Sequence, residues 1–224
     1  MRTDEIANKL EHFFVAEKGY SAVPTQIIQD NGKRKFTYTA IRGEINTQSY
    51  RNHIKTEVGL TPSPLIDHDK CYWGAIDIDT YNMEGAKKKE IIEGAKELHL
   101  APAFSKSQGI HLYCVSKDKI LAKAMRNYLA YCRATLKLDP KTEIFPKQDE
   151  VSITEENGFK KFGYGNGITI PYRSFEIHAD KDQPWGIELY EEDKIRLLQP
   201  FEFFKIAEQR ELTKEHFDRY HDIQ

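Results

Sequence analysis

The sequence predicts an α+β protein with a ferredoxin-like β-α-β-β-α-β unit at its centre, and three observations predict it. From Tyr72 onward, runs of strand and helix length succeed one another in that order. The strand runs alternate apolar and polar side chains. One of them, "WGAIDIDTYN", ends in two aspartates, Asp77 and Asp79, set one residue apart.

The elements follow in order. Residues 4 to 16, "DEIANKLEHFFVA", space Ile6, Leu10, Phe13 and Phe14 as one apolar helical stripe. "DNGKRK" reads as a turn, "KFTYTAIRG" (Lys35 to Gly43) as a strand and "NTQSYRNHIKTE" as a helix. "GLTPSPLIDHDK" is a proline-marked connection. The central unit then opens with the strand "YWGAIDID" and the helix "EGAKKKEIIEGAKELH", whose inner side carries Ile91, Ala95 and Leu98. "APAFSKSQGIHLYCVS" is strand, tight turn at Lys106 to Gly109, and strand. The second helix, "DKILAKAMRNYLAYCRATLK", is expected to be capped by Ser116 or Asp118, and "TEIFPK" is the fourth strand. The tail from Pro200 offers Phe201, Phe204, Ile206 and Phe217 for packing on the chain's own core or for leading into a further domain.

In this topology the first strand lies between the third and the fourth. Ile110, Leu112, Cys114, Thr142 and Ile144 fit the face covered by helices, which leaves His111, Tyr113 and Glu143 on the other, open face. Asp77 and Asp79 share that face, so four ionisable residues from distant parts of the sequence converge. Carboxylates held so close repel unless a cation or a shared proton offsets the repulsion. A divalent metal is the natural partner; the plainer alternative is a strand running out into a solvated acidic turn.

Bulk properties bound the reading. The 224 residues suffice for one substantial domain or two small subdomains. At 39% hydrophobic and 30% charged residues, with a mean hydropathy of -0.66, the composition is that of a soluble chain. No apolar run approaches the roughly 18 residues a membrane span needs, and the charged N-terminus has no signal-peptide core, which points to the cytoplasm. Cys71, Cys114 and Cys132 are odd in number and widely spaced, so neither a disulfide framework nor a zinc site is expected. The formal net charge of -2 means that any polyanion site must be a local patch.

Three carboxylates without cysteine form a hard oxygen site suited to Mg²⁺ or Mn²⁺. Two such ions serve nucleotidyl transfer. Beside them "SKSQGIH" offers the hydroxyls of Ser105 and Ser107, the Lys106 ammonium, close backbone approach at Gly109, and His111, the inventory of a triphosphate cradle.

"AIDID", "SKSQGIHLY", "EIFPKQ" and "GNGITIPY", in this order between residues 36 and 175, resemble the archaeo-eukaryotic primase superfamily, in its primase-polymerase branch from phages, plasmids and mobile elements. The "FPKQ" and "GN…P" segments are similar to the primases of TOTE conflict systems. The resemblance implies a prim-pol fold with an N-terminal α/β unit (1–70) packed on an RRM-like unit (71–178), followed by a C-terminal tail (179–224). It implies template-directed synthesis from dNTPs or NTPs on single-stranded DNA in replication, with a replicative helicase, as domain or partner, also expected. Asp77, Asp79 and Glu143 would hold the two Mg²⁺ or Mn²⁺ ions. Ser105, Lys106, Ser107, Gly109, His111, Lys147, Asn166 and Arg173 would bind nucleotide, with Lys161 a further candidate for the triphosphate.

Template contacts are expected among Arg42, Arg51, His53, Lys160 and Lys161. The basic face of the second helix is read as solvated, because it lies behind the sheet. No Cys/His module for zinc is present, so extension is a firmer expectation than unaided initiation. The chain is read as a stand-alone enzyme or the N-terminal piece of a longer one, in a bacterial or phage-infected cytoplasm. Rival readings are an end-joining or gap-filling repair polymerase of the same superfamily, a glycosyltransferase with its own Asp-x-Asp, and a non-catalytic RRM-like module. The last would carry aromatic residues where this face carries carboxylates.

Overall fold

The computed structural model describes residues 2–28, 34–79, 83–105, 109–156, 159–177, 185–190 and 194–220. The N-terminal part comprises α1 (Thr3–Phe13), β1 (Lys18–Ile28), β2 (Arg34–Glu44), α2 (Thr47–Lys55) and β3 (Gly59–Pro62). β1 is the centre of a three-stranded antiparallel sheet in the order β2-β1-β3. The sequence does not announce β1, nor β3, which lies in the stretch expected to be a proline-marked connection. The apolar residues of β1 are broken by Pro24 and Gln26, so the strand depends on its eleven-residue pairing with β2 rather than on its own pattern. The Asn46 side chain accepts from Ser49 N–H and starts α2.

The central unit follows as β4 (Lys70–Ile78), α3 (Gly85–Glu97), β5 (Ala101–Phe104), β6 (Ile110–Leu121), α4 (Ala122–Thr135) and β7 (Glu143–Phe145). Its sheet runs β5-β6-β4-β7, so β4 is flanked by β6 and β7 as the ferredoxin-like order requires. One expected detail changes. α4 begins at Ala122 with no side-chain cap, because Lys70 and Cys71 pair with Leu121 and Ile120 and keep the chain in β6 past Ser116 and Asp118. Asp118 instead accepts from the Lys214 N–H. Gly74 on β4 lets α4 sit close, since a Cβ there would lie 2.6 Å from the Phe145 carbonyl oxygen and 2.8 Å from Leu129 Cδ1.

After β7 come two ribbons, β8 (Ile153–Glu156) with β9 (Phe159–Phe162) and β10 (Ile187–Tyr190) with β11 (Lys194–Leu197), then α5 (Pro200–Gln209) and α6 (Lys214–Asp218). Phe203, Phe204 and Phe217 are buried, whereas Phe201, expected to pack, is 59% exposed. Pro200 opens α5, and Phe203, Phe204 and Ala207 form its buried face, to which Phe201 does not belong.

Two cores lie on either side of the central sheet. Ile76, Ile78, Ile110, Leu112 and Cys114 pack against α3 and α4. The opposite face, expected to be open, is covered over most of its length: Trp73, Ala75, Tyr113 and Phe145 are buried with Phe13, Phe14, Tyr50, Leu60 and Phe203. Phe14 meets the rings of Trp73 and Tyr113 edge-on at 5.1 and 5.0 Å, and Trp73 Nε1–H donates to the Val15 carbonyl. Among the described residues, the end of this face where β4 stops reaches solvent at Asp77 and Glu143.

Candidate active site

Strand register builds the site. Asp77 on β4 pairs with His111 on β6 and with Glu143 on β7. Paired residues present their side chains on one face, so two carboxylates and an imidazole stand in a row. The next row inward, Ala101, Tyr113, Ala75 and Phe145, belongs to the core. The polar row is therefore the first beyond the packed region: the Asp77 side chain is 27% exposed, that of Glu143 54%, and His111 is buried. Asp79 is exposed just past the last paired residue of β4.

His111 is held from behind. Its Nδ1 is 2.9 Å from the Tyr113 hydroxyl, which donates to the Thr169 carbonyl at 2.8 Å. A carbonyl only accepts, so the single phenolic proton is committed there and His111 Nδ1–H donates to the Tyr113 oxygen. Nε2 is thereby aimed at Asp77 Oδ1, 3.2 Å away. Burial, with the nearby Asp77 charge, pushes the Tyr113 phenol well above its usual range, so it stays a neutral donor. The residues that sequence reasoning missed are Tyr113 in this positioning role and Thr169. Tyr113 shows one signal, its i+2 spacing from His111 on the same strand face; Thr169 arrives from 56 residues away.

The other side of the row is cationic. Lys147 Nζ lies 2.5 Å from Glu143 Oε1 and 4.9 Å from the Phe145 ring centroid. Asn166 donates to Gln148 at 3.1 Å, which fastens its loop beside Lys147. In the β5–β6 hairpin, Ser105 N–H donates to the Gly109 carbonyl at 2.8 Å and the serine is buried. A Cβ on Gly109 would fall 2.6 Å from the Ile78 carbonyl oxygen and 2.8 Å from Ser105 Oγ, so this turn closes onto the end of β4 only with glycine. Lys106 and Ser107 lie outside the described residues, as does the side chain of Lys161.

Other expected contacts are dispersed. His53 is fully buried, its Nδ1 accepting from Leu60 N–H at 2.9 Å and its Nε2 donating to the Pro171 carbonyl at 3.0 Å. Both ring nitrogens are thus used inside the protein, and the expectation of a template contact at His53 is corrected to a structural role. Burial drives its pKa down to about 4. Arg173 is also buried, donating to the Glu57 carbonyl at 2.6 Å, and is drawn into the N-terminal unit. Arg51 pairs with Asp4 at 3.1 Å. Arg42 is exposed, 5.3 Å from the Tyr20 ring and 5.9 Å from that of Tyr164, and Lys160 is exposed on β9.

The donor set fits a hard divalent cation, since Asp77, Asp79 and Glu143 supply only oxygen. Among the described residues no three His, Cys, Asp or Glu side chains already converge as a cage. Mg²⁺ keeps several waters and takes phosphate oxygens, so it asks for fewer protein ligands than a closed structural zinc site. Among the described residues no helix is long and apolar enough to cross a membrane.

Comparisons with a family model and with solved structures both find similarity. The sequence model described as "TOTE conflict system, Archaeo-Eukaryotic Primase domain" matches residues 3–182. Among solved structures, the chain is similar to the "Polymerase Domain from Mycobacterium tuberculosis Ligase D in complex with DNA", at a TM-score of 0.39 and 12% sequence identity, over 99% of this chain and 92% of that one. No curated protein matches the sequence.

Proposed function

Because this chain belongs to the archaeo-eukaryotic primase domain family of TOTE conflict systems, whose superfamily members are nucleotidyltransferases generally dependent on divalent metals, we propose that it is a DNA primase-polymerase. It would extend a strand from dNTPs or NTPs on a single-stranded DNA template. The observation that carries this reading is the row of Asp77, His111 and Glu143 at the one end of the sheet face that the N-terminal unit leaves uncovered. A base-stacking RRM-like module needs that face open along its length; here its aromatic residues are core.

Asp77, Asp79 and Glu143 would hold Mg²⁺ or Mn²⁺. When bound, such ions neutralise the phosphates and stabilise charge on the attacking and leaving oxygens. The remaining roles belong to the chain. His111, oriented by Tyr113 through Nδ1, presents Nε2 at the rim, where its doubly protonated form would donate to a phosphate oxygen. Lys147 is poised to exchange its Glu143 partner for the triphosphate when Glu143 turns to a cation. Ser105, Gly109 and Asn166 would line the same end, and Lys106 and Ser107, outside the described residues, would add to the triphosphate contacts. Residues 71–178 carry the chemistry, 1–70 cover the sheet and offer Arg42 toward template with Lys160, and 179–224 complete the core. Replication is the process this activity would serve.

The direct test incubates the protein with single-stranded DNA, labelled nucleotides and Mg²⁺ or Mn²⁺, with and without an annealed primer, beside an Asp77→Ala/Asp79→Ala variant. Products formed without primer and lost in the variant would establish a self-starting primase. Extension only from a primer would establish a polymerase that depends on another component for initiation, and no product in either arm would sink the reading.

A further inference from the structure

The cations of α4 do not lie on an isolated solvated face. Lys123, Arg126 and Arg133 form one wall of a groove of about 360 Å³, and the other wall is β7 with the segment after it, ending in Lys147 and Asp149. β7 is the edge strand of its sheet, so the groove wraps around that edge from the helix layer toward Glu143, which lines it too. Lys123, Arg126, Ala130 and Arg133 recur at helical spacing and line up over about 15 Å. Ala130 keeps the middle of the wall low.

The charges are arranged for an anion. Four cations face two carboxylates, a local reversal in a chain of net charge -2. Arg126 is paired with Asp149 and Lys147 with Glu143, each on half-exposed side chains. Arg133 spends one N–H on the Thr142 carbonyl at 3.0 Å, a neutral acceptor that leaves its full charge in the groove, and Lys123 is exposed. Cations spaced along a narrow channel track a phosphate backbone, and arginine forks can grip phosphate oxygens two at a time.

We propose that this groove binds the sugar-phosphate backbone of a single-stranded nucleic acid and leads it around the β7 edge to the Asp77–Glu143 row. The direction rests on the nucleotidyltransferase reading; the binding itself rests on charge and shape. The free triphosphate of a nucleotide shares the phosphate chemistry, and the experiment separates the two.

The test measures binding of a labelled single-stranded oligonucleotide by fluorescence anisotropy across a salt series, in EDTA and without nucleotide. Lys123→Gln/Arg133→Gln is expected to weaken binding about tenfold or more and to flatten the plot of log K against log salt by about 1.4, two phosphate contacts at about 0.7 each. Ala130→Glu, which puts a bulky anion in the groove, is expected to reproduce the loss of affinity. Lys117→Gln/Lys214→Gln removes the same charge elsewhere and is expected to leave both quantities nearly unchanged. Circular dichroism and a melting curve confirm that each variant is folded.

Equal effects of the two Gln pairs, or no effect of either, would overturn the groove. Displacement of the strand from the wild-type protein by ATP, lost in the groove variants, would assign it to the triphosphate instead. A wild-type protein that incorporates nucleotides while its groove variants bind normally sinks only this inference; one that neither binds the strand nor incorporates nucleotides sinks the proposed function with it.

Discussion

At the scale of single residues, the site depends on side chains that never touch substrate. Tyr113 packs its ring on Phe14 and spends its hydroxyl on Thr169 and His111, so Tyr113→Phe keeps the packing and removes the orientation. The buried His111 ring and the half-buried Thr169 carbonyl then lose a partner, which costs about 1–3 kcal/mol of stability. Nucleotide incorporation is expected to fall about tenfold, the equivalent of about 1.4 kcal/mol. Steady-state kinetics beside urea denaturation check both, and wild-type kinetics in the variant would remove Tyr113 from the mechanism.

His53 makes a second prediction, through pH. Its folded pKa of about 4 lies below the unfolded value of 6.5, because burial disfavours the cation and the Arg173 charge adds to that, while the bond to Pro171 opposes it. Between those two values the unfolded chain binds more protons, so stability rises with pH there and is lost as pH falls from about 6.5 to about 4. The shift is worth roughly 3 kcal/mol across that window. Other groups add their own acid dependence, so the informative quantity is the difference: His53→Gln should show a flatter decline in unfolding free energy between pH 6.5 and pH 4, and an unchanged slope would contradict the assignment.

At the scale of elements, the β5–β6 hairpin is the sensitive joint. Gly109→Ala places a methyl against the Ile78 carbonyl, which is backbone and cannot turn aside. The end of β6 must move from β4 by a few tenths of an ångström or more, at a cost of about 1–3 kcal/mol, and it carries His111 with it. Activity is therefore expected to fall further than the fraction of folded protein, as read by primer extension and melting on the same sample. Behind the sheet the expectation is the reverse. Leu129→Ala in α4 opens a cavity far from the row and costs about 2–5 kcal/mol, with activity tracking the folded fraction.

At the scale of the whole molecule, the parts share one core. Phe13 from α1 and Phe14 just after it, Tyr113 from β6, Tyr172, and Phe203 and Phe204 from α5 all belong to it, and Phe13 stacks on Phe204 at 5.5 Å. A division at residues 70 and 178 therefore describes sequence order more than separate folding units. Unfolding is expected to be a single transition, with tryptophan fluorescence and far-UV circular dichroism coincident. Phe14→Ala should lower it by about 3–5 kcal/mol for both signals. A transition split in two would mean that the N-terminal unit and the catalytic sheet are stable apart.

The order of the central elements, the strand neighbours of β4 and the alignment of Asp77, His111 and Glu143 on one face are legible in the residues alone. These follow from side-chain periods of two and three to four residues and from a topology with few alternatives, all local information. The sequence left β1 invisible, since a strand held by its neighbour needs no alternation of its own. It also misjudged three surfaces, because burial is a property of what packs on a residue from elsewhere in the chain. Tertiary structure alone covered the supposed open face with α1 and α5, placed both nitrogens of His53 inside, and folded the basic stripe of α4 against the β7 edge beside Glu143.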